Sequence, residues 1–172
     1  GVNFPVWHKR LFEVGKPEHG QIAMFRYPVN EKVNFIKRVI GIPGDKISYI
    51  NKVFYVNGKK MPQHYVGKMY DQDPSFANNP LQLDIYEETF FGVKHRVLVN
   101  PDRPAENFYN LVVPKGQYFM IGDNRDNSDD SRSWGFVPER NFIGKGMLVW
   151  MSWDKLADWS KKIRFNRIGT QL

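Results

Sequence analysis

The sequence has 172 residues, enough for one domain or for a core with one large insertion, and a chain this long buries roughly 70% of its unfolded surface. It contains no Cys, which excludes a thiol nucleophile, a CxxC redox pair and any Cys-based zinc site. The net charge of +7 leaves nucleic acid, an anionic membrane surface and an acidic partner open, although the scattered basic residues weaken the nucleic-acid interpretation. No apolar run approaches the roughly 18 residues of a membrane helix, so we expect these residues by themselves to be soluble.

The first third of the chain has the pattern of short strands separated by turns. Short apolar runs separated by turn residues predict four strands, at Ile22 to Tyr27, Val33 to Ile40, Ile47 to Ile50 and Val53 to Val56. Asn51-Lys52 and Asn57-Gly58 lie where hairpin turns belong, and Asn-Gly favours a two-residue turn because both residues tolerate positive φ. The pattern predicts a mainly β fold built from antiparallel sheets.

The composition changes between Met61 and Val113, where Asp, Asn, Pro, Tyr and Glu are frequent and periodicity is weak apart from a strand at His95 to Val99. We interpret 57–111 as a smaller inserted β-rich subdomain within an antiparallel catalytic core formed by 1–56 and 112–172. Further strands are predicted at Gln117 to Ile121 and Gly146 to Met151. Helix is predicted to be scarce, with helical turns after Pro138 and around Asp154 to Ser160.

One lysine lies within the apolar strand Val33 to Ile40. Period-two alternation puts Lys37 on the face of Phe35 and Val39, and Arg38 on the opposite face. Burial disfavours the ammonium form and can lower a lysine pKa by several units from about 10.4, far enough for the amine to deprotonate a serine. The alternative is an edge-strand lysine whose amine reaches water.

A polar loop from Gly122 to Gly135 directly follows an apolar strand and concentrates four Asp, two Arg and three Ser. On composition alone, a surface loop held by Asx turns and ion pairs is the simpler alternative. An EF-hand starting at Asp126 fails, because its sixth residue is Ser131 rather than Gly and its twelfth is Val137 rather than Glu. We find no other catalytic or metal-binding motif and expect neither a metal nor an organic cofactor.

Phe35 to Asp45 and Gly122 to Gly135 together resemble the two longest signatures of bacterial type I signal peptidases, in the same order and at a similar separation. Weaker similarity covers Ile22 to Pro28, Pro114 to Met120 and Trp150 to Gly169. The resemblance implies a serine and lysine dyad endopeptidase that removes signal peptides from exported preproteins, usually after small residues in an Ala-x-Ala pattern. The sizeable insertion favours a Gram-negative type.

The resemblance also implies roles for individual residues. Lys37 would be the general base, and Ser128 would orient its amine by a hydrogen bond. Four charged side chains would support the loop: Asp123, Arg125, Asp130 and Arg132. Of these, Asp130 and Arg132 would form an ion pair. Three apolar side chains would line a substrate cleft in which an extended peptide adds to a strand edge: Met24, Phe35 and Ile36.

The nucleophile is where this sequence departs from the family pattern. The family nucleophile is a serine followed by Met, upstream of the matched residues and after a membrane anchor, and no serine of this sequence is followed by Met. We therefore expect the 172 residues alone to be inactive, because a base without its nucleophile leaves no covalent step. If the absent segment covers Lys37 in the parent enzyme, its amine should titrate closer to a free lysine here.

The resemblance places the parent enzyme in the inner membrane with its catalytic domain on the periplasmic side. Its partners would be signal peptides with small residues at the cleavage site and membrane lipids, and not nucleic acid. Four aromatic residues lie near basic residues of the tail, as suits an anionic lipid interface or equally a core: Trp150, Trp153, Trp159 and Phe165. The alternatives are a repressor-type self-cleaving Ser/Lys peptidase, or a non-catalytic module that binds signal peptides or nucleic acid.

Overall fold

A computed structural model describes residues 16–70, 81–145, 148–149 and 170–171. Its strands, in chain order, are β1 (Ile22–Tyr27), β2 (Asn30–Gly41), β3 (Lys46–Ile50), β4 (Val53–Val56), β5 (Lys59–Lys60), β6 (Gln63–Tyr70), β7 (Gln82–Phe90), β8 (Val93–Val99), β9 (Phe108–Val112), β10 (Gln117–Ile121), β11 (Val137–Pro138), β12 (Phe142–Lys145), β13 (Leu148–Val149) and β14 (Thr170–Gln171). Helical structure in this part of the chain is limited to α1 (Ser131–Trp134) and a 3-10 turn at Glu139–Asn141. The chain is therefore mainly antiparallel β, as the sequence predicts.

A five-stranded sheet in the order β11-β10-β2-β1-β12 carries the long strand β2 at its centre. Strands β1 and β2 pair antiparallel, with Ala23 opposite Lys37 and Phe25 opposite Phe35. Alternate side chains of this sheet, including Phe25 and Val39, are buried in one apolar cluster. Burying these side chains fixes the register, because a one-residue slip would move them to the other face.

The four-stranded sheet β5-β4-β3-β9 packs its apolar side chains into a second buried cluster. Its hairpin turns fall at the predicted dipeptides, and Asn51, Lys52 and Asn57 all have positive φ. In the hairpin that joins β3 to β4, Tyr49 pairs with Phe54, and both rings are buried in that cluster. The turn chemistry and the apolar alternation thus agree in this region.

The three-stranded sheet β6-β7-β8 lies within the predicted insertion. Of its three strands, the sequence predicts β8 but not β6 or β7. Strand β6 lies at the edge of the sheet and its apolar side chains, such as Tyr65 and Tyr70, are largely exposed. A strand with no consistently buried face has no alternating pattern to detect. The domain boundaries themselves stay a prediction, since the four-stranded sheet combines β3 and β4, which precede the 57–111 segment, with β5 and most of β9, which lie within it.

Several predicted element boundaries agree with the structure. Strands β1, β4 and β10 begin and end at the predicted residues, and the turn after Pro138 is the 3-10 turn. Of the predicted strand Gly146 to Met151, Leu148–Val149 is a strand. The helical turn predicted around Asp154 to Ser160 lies outside the described residues. In the part of the chain that is described, no helix is long and apolar enough to cross a membrane.

Candidate active site

The side chain of Lys37, on the central strand β2, contacts the polar loop from Gly122 to Gly135. Lys37 lies near the end of β2 and its side chain is half-buried. The Lys37 Nζ donates a hydrogen bond to Ser128 Oγ at 2.5 Å, across 91 residues of sequence. The same amine lies 5.6 Å from the centre of the Phe35 ring, on the face that the alternation predicts. The structure thus brings together the two residues that the resemblance pairs.

Gly122 makes this close approach between Lys37 and Ser128 sterically feasible. A Cβ atom at this position would lie 1.9 Å from Ser128 Oγ and 3.3 Å from Lys37 Nζ. Contact distances this short force neighbouring atoms to move, so a residue larger than glycine would displace the pair. The Gly122 backbone N–H in turn donates to the Asp130 carboxylate at 3.1 Å.

Asp130 is fully buried and organises the end of the loop. It caps the short helix α1, where its carboxylate accepts hydrogen bonds from the backbone N–H and the guanidinium of Arg132. Arg132 also donates to the backbone oxygen of Arg125 at 2.5 Å. The hydroxyl of Ser131, also buried, accepts a hydrogen bond from the Met120 N–H of β10. These bonds fix the loop to the strand from which it emerges.

Burial lowers the pKa of the Lys37 amine below its ordinary value of 10.5, against the opposing charges of Asp130 and Asp129. A lowered pKa increases the fraction of neutral amine, which is the form that accepts a proton. The loop itself therefore supplies part of the desolvation. The expectation that this amine titrates closer to a free lysine here than in the parent enzyme stays a prediction.

Asp123 and Arg125, both predicted to support the loop, have separate partners. Asp123 accepts two hydrogen bonds from the Arg38 guanidinium, at 2.9 and 2.8 Å. Arg38 is buried and also donates to the Gly20 backbone oxygen at 2.7 Å. Arg125 is fully buried against Glu88 of β7. The loop is therefore held both by the central sheet and by the three-stranded sheet.

The sequence analysis missed Arg38, Glu88 and Lys52 as parts of this site. Lys52 Nζ donates to the Asp126 carboxylate at 2.9 Å and to the Asn100 backbone oxygen at 2.5 Å. An arginine directly before the apolar residues Val39 and Ile40 of β2 was a signal for Arg38, because a buried guanidinium needs a carboxylate. Glu88 and Lys52 carry no comparable local signal, since their partners are 37 and 74 residues away.

The three predicted substrate residues lie on two adjacent strands. Met24 and Ile36 are directly paired across β1 and β2, and Ile36 is 60% exposed. Phe35 points the other way and packs against Phe25 and Tyr27. Strand β10 pairs with β2 only from Arg38 to Gly41, so among the described residues the edge of β2 before Arg38 has no strand partner on that side. Their role in substrate binding stays a prediction.

A cavity of about 310 Å³ lies against the polar loop. Charged and polar side chains form most of its lining, including Ser128, Arg125 and Arg132, and none of the three predicted substrate residues contributes. Such a lining does not suit a small apolar side chain of a substrate. The described residues contain no group of three or more His, Cys, Asp or Glu that could hold a metal ion.

The comparisons with known proteins agree in identifying one family. The family model described as "Signal peptidase, peptidase S26" matches residues 3–153. The chain is 38% identical to a signal peptidase I of Buchnera aphidicola subsp. Acyrthosiphon pisum, covering 99% of this chain and 66% of the relative. It is 37% identical to the signal peptidase I of Pseudomonas fluorescens, covering 98% of this chain and 61% of the relative. These matches favour signal peptidases over the repressor-type alternative.

A solved structure also matches, the crystal structure of a signal peptidase I from Enterococcus faecalis V583, with a TM-score of 0.50 and 28% sequence identity. The match covers 77% of this chain and 98% of that one. In length, the chain spans 61% to 66% of the Pseudomonas and Buchnera relatives.

Proposed function

Because the chain belongs to the signal peptidase family, peptidase S26, we propose that it forms part of a serine endopeptidase that removes signal peptides from exported preproteins. The hydrogen bond of 2.5 Å between Lys37 Nζ and Ser128 Oγ carries this proposal. It supports a general base that is half-buried, held in place and lowered in pKa. Ser128, with Asp123, Arg125, Asp130 and Arg132, would keep that amine in position.

In the proposed reaction the neutral Lys37 amine takes the proton of an attacking serine hydroxyl. The serine oxygen bonds to the scissile carbonyl carbon, and the proton passes from the ammonium to the departing amine. The same amine then deprotonates a water that hydrolyses the acyl-enzyme ester and frees the serine. Since no serine here is followed by Met, we propose that the attacking serine is not among these 172 residues, which alone would be inactive.

Substrate recognition in this proposal uses the unpaired edge of β2. An extended peptide can hydrogen-bond to the backbone of Phe35 and Ile36, because β10 pairs with β2 only from Arg38 onward in the described part of the chain. Ile36 and Met24 would then contact the peptide and favour small side chains at the cleavage site. A periplasmic location at the inner membrane, with lipid contact through the tail aromatics from Trp150 to Phe165, belongs to the same proposal.

The test is cleavage of a synthetic peptide with an Ala-x-Ala site. We would compare the 172-residue chain with a version extended at its amino terminus by a segment that carries the serine followed by Met of the family pattern. Only the extended version is expected to cleave. Within it, Lys37→Met should abolish cleavage, whereas Lys32→Met, which alters an exposed lysine of the same strand, should not.

Either of two results would overturn the proposal. Cleavage by the 172 residues alone would show that the nucleophile lies within them. Full activity of the Lys37→Met variant would show that Lys37 is not the base.

A further inference from the structure

The three-stranded sheet is joined to the loop that carries Ser128 by backbone hydrogen bonds. The Leu98 N–H at the end of β8 donates to the Asp123 oxygen at 2.9 Å, and the Arg125 N–H donates to the Leu98 oxygen at 2.8 Å. Leu98 and Asn124 therefore form an isolated parallel bridge. The start of the loop thus extends the sheet of the predicted insertion by one short segment.

A buried ion pair lies directly beneath this backbone contact. Glu88 of β7 is 0% exposed and Arg125 is 1% exposed. Both oxygens of the carboxylate accept from the Arg125 guanidinium, and Gln63 Nε2 donates to one of them at 2.8 Å. A buried charge pair with two parallel hydrogen bonds restricts the orientation of both side chains. Arg125 is consequently held in one place relative to β7.

Arg125 is connected to the surroundings of Lys37 and Ser128 through Arg132, and the residue that follows Arg125 attaches the loop to the end of β8. The backbone oxygen of Arg125 accepts from Arg132, which also binds the Asp130 carboxylate beside Gly122. The next residue, Asp126, accepts from the Asn100 N–H at 2.7 Å and so attaches the loop to the end of β8 a second time. The loop reaches Ser128 only two residues later.

We propose that Glu88 is a positioning residue, which holds through Arg125 the loop that presents Ser128 to Lys37. This inference rests on the proposed function, because it assigns the predicted insertion a part in building that active site. Glu88 lies in a different sheet from Lys37 and acts through Arg125, whose main chain is bonded to Arg132. The insertion would then determine the geometry of the base rather than contact the substrate.

The experiment compares Glu88→Gln with Glu87→Gln in the 172-residue chain by NMR. Glu87 is the matched control, because it is the neighbouring acid and its partner is the exposed Lys94. In Glu88→Gln we expect the Arg125 and Gly122 amides to exchange at least about tenfold faster, with the buried Val39 amide unchanged. Glu87→Gln should change none of the three.

The second readout is the Lys37 titration in the same variants. The charged groups around this amine are Asp123, Asp129, Asp130 and Arg132. Because burial is the largest influence on its pKa, a loosened loop should raise the pKa of Lys37 toward that of free lysine in Glu88→Gln only. A purely structural role for Glu88 would leave the pKa unchanged in the folded fraction.

The inference would be overturned if, in a folded Glu88→Gln variant, the hydrogen exchange of the Arg125 and Gly122 amides and the pKa of Lys37 were both unchanged. Acceleration of the Val39 amide by the same factor would do so too, since it would mean global destabilisation. If Glu88→Gln does not fold, Glu88→Asp, which keeps the charge but shortens its reach to Arg125, is measured in the same way and judged by the same outcomes. Failure of the proposed function would be recognised separately, by full activity of Lys37→Met in the peptide-cleavage assay, and the exchange comparison would still decide the inference.

Discussion

The five-stranded sheet and the three-stranded sheet are stabilised in different ways. The five-stranded sheet buries a continuous apolar face that includes Phe25, Val39 and Met120. In the three-stranded sheet, the edge strand β6 exposes most of its side chains, while β7 buries the charged Glu88 completely. The contrast shows that the smaller sheet is anchored to the rest of the molecule partly by an ion pair shared with the active-site loop.

The largest expected effect comes from removing the cation of that pair. Arg125→Met leaves the Glu88 carboxylate buried without its counter-charge, so we expect the free energy of unfolding to fall by about 3 to 5 kcal/mol. Urea denaturation measures this loss. The double variant Arg125→Met with Glu88→Leu should recover most of it, because a buried pair can be replaced by apolar groups. No recovery would mean that the pair has a role beyond mutual neutralisation.

A second test uses low pH to weaken the same ion pair by protonating the Glu88 carboxylate. Burial would raise the pKa of Glu88, but the adjacent Arg125 charge, together with hydrogen bonds from His95, Arg125 and Gln63, lowers it from 4.5 to about 2. A carboxylate with a lowered folded-state pKa contributes stability above the unfolded value and loses it as pH falls through the folded value. The lowering corresponds to about 3 kcal/mol, so the stability advantage over Glu88→Gln should shrink between pH 4.5 and about 2.

Urea unfolding of both proteins at a series of pH values across this range provides the measurement. A constant difference between the unaltered chain and Glu88→Gln would contradict the assignment of Glu88 as an ionised, paired group.

A third test concerns Gly122, which lies beside Lys37 of the five-stranded sheet. Gly122→Ala places a methyl group 1.9 Å from Ser128 Oγ, and relief of that overlap should cost about 1 to 3 kcal/mol of stability. In the extended, active version we expect cleavage to fall by about a hundredfold, because the base is displaced. Gly67→Ala on the exposed strand β6 is the control, since a Cβ there has no neighbour within 4 Å. Equal effects of both substitutions would argue against a special role for Gly122.

The smallest effect is expected at the surface of the three-stranded sheet. Lys94 and Glu87 form an exposed pair with a separation of 3.5 Å. Exposed pairs of this kind are screened by solvent, so Lys94→Met should change the free energy of unfolding by less than about 1 kcal/mol. Thermal or urea unfolding at two salt concentrations would check this, and a larger loss would mean that the contrast between exposed and buried pairs is overstated.

Local sequence signals made much of the fold predictable. Strands β1, β4 and β10 are short, mostly apolar runs, and turn residues such as Asn57 follow β4, so these signals are local. Strand β7 escaped detection although Leu83, Glu88 and Phe90 are buried, because its remaining side chains are only partly covered and most of them are polar. What stabilises β7 is its contact with other elements, which a local pattern does not report.

The residues of the site likewise fall into two groups, those that a local pattern or a family signature identifies and those whose partners only the structure reveals. Lys37 was identified from its place in an apolar strand, and the match to family signatures paired it with Ser128. The partner of Arg125 was not predicted, because Glu88 is an ordinary glutamate in a polar stretch until β7 is placed against the loop. Charged networks between distant segments become visible only in three dimensions.

The wide sequence separation of the Lys37–Ser128 hydrogen bond has a consequence for the order of folding. The contact closes a loop of 91 residues, and Arg38–Asp123 closes one of 85. Contacts between distant segments form late, because their chain entropy must be lost before they stabilise anything. A nascent chain that ends after β9 would contain Lys37 without Ser128, so the amine would remain hydrated and strongly basic. The capacity for proton abstraction would therefore arise only once synthesis and folding have passed the loop.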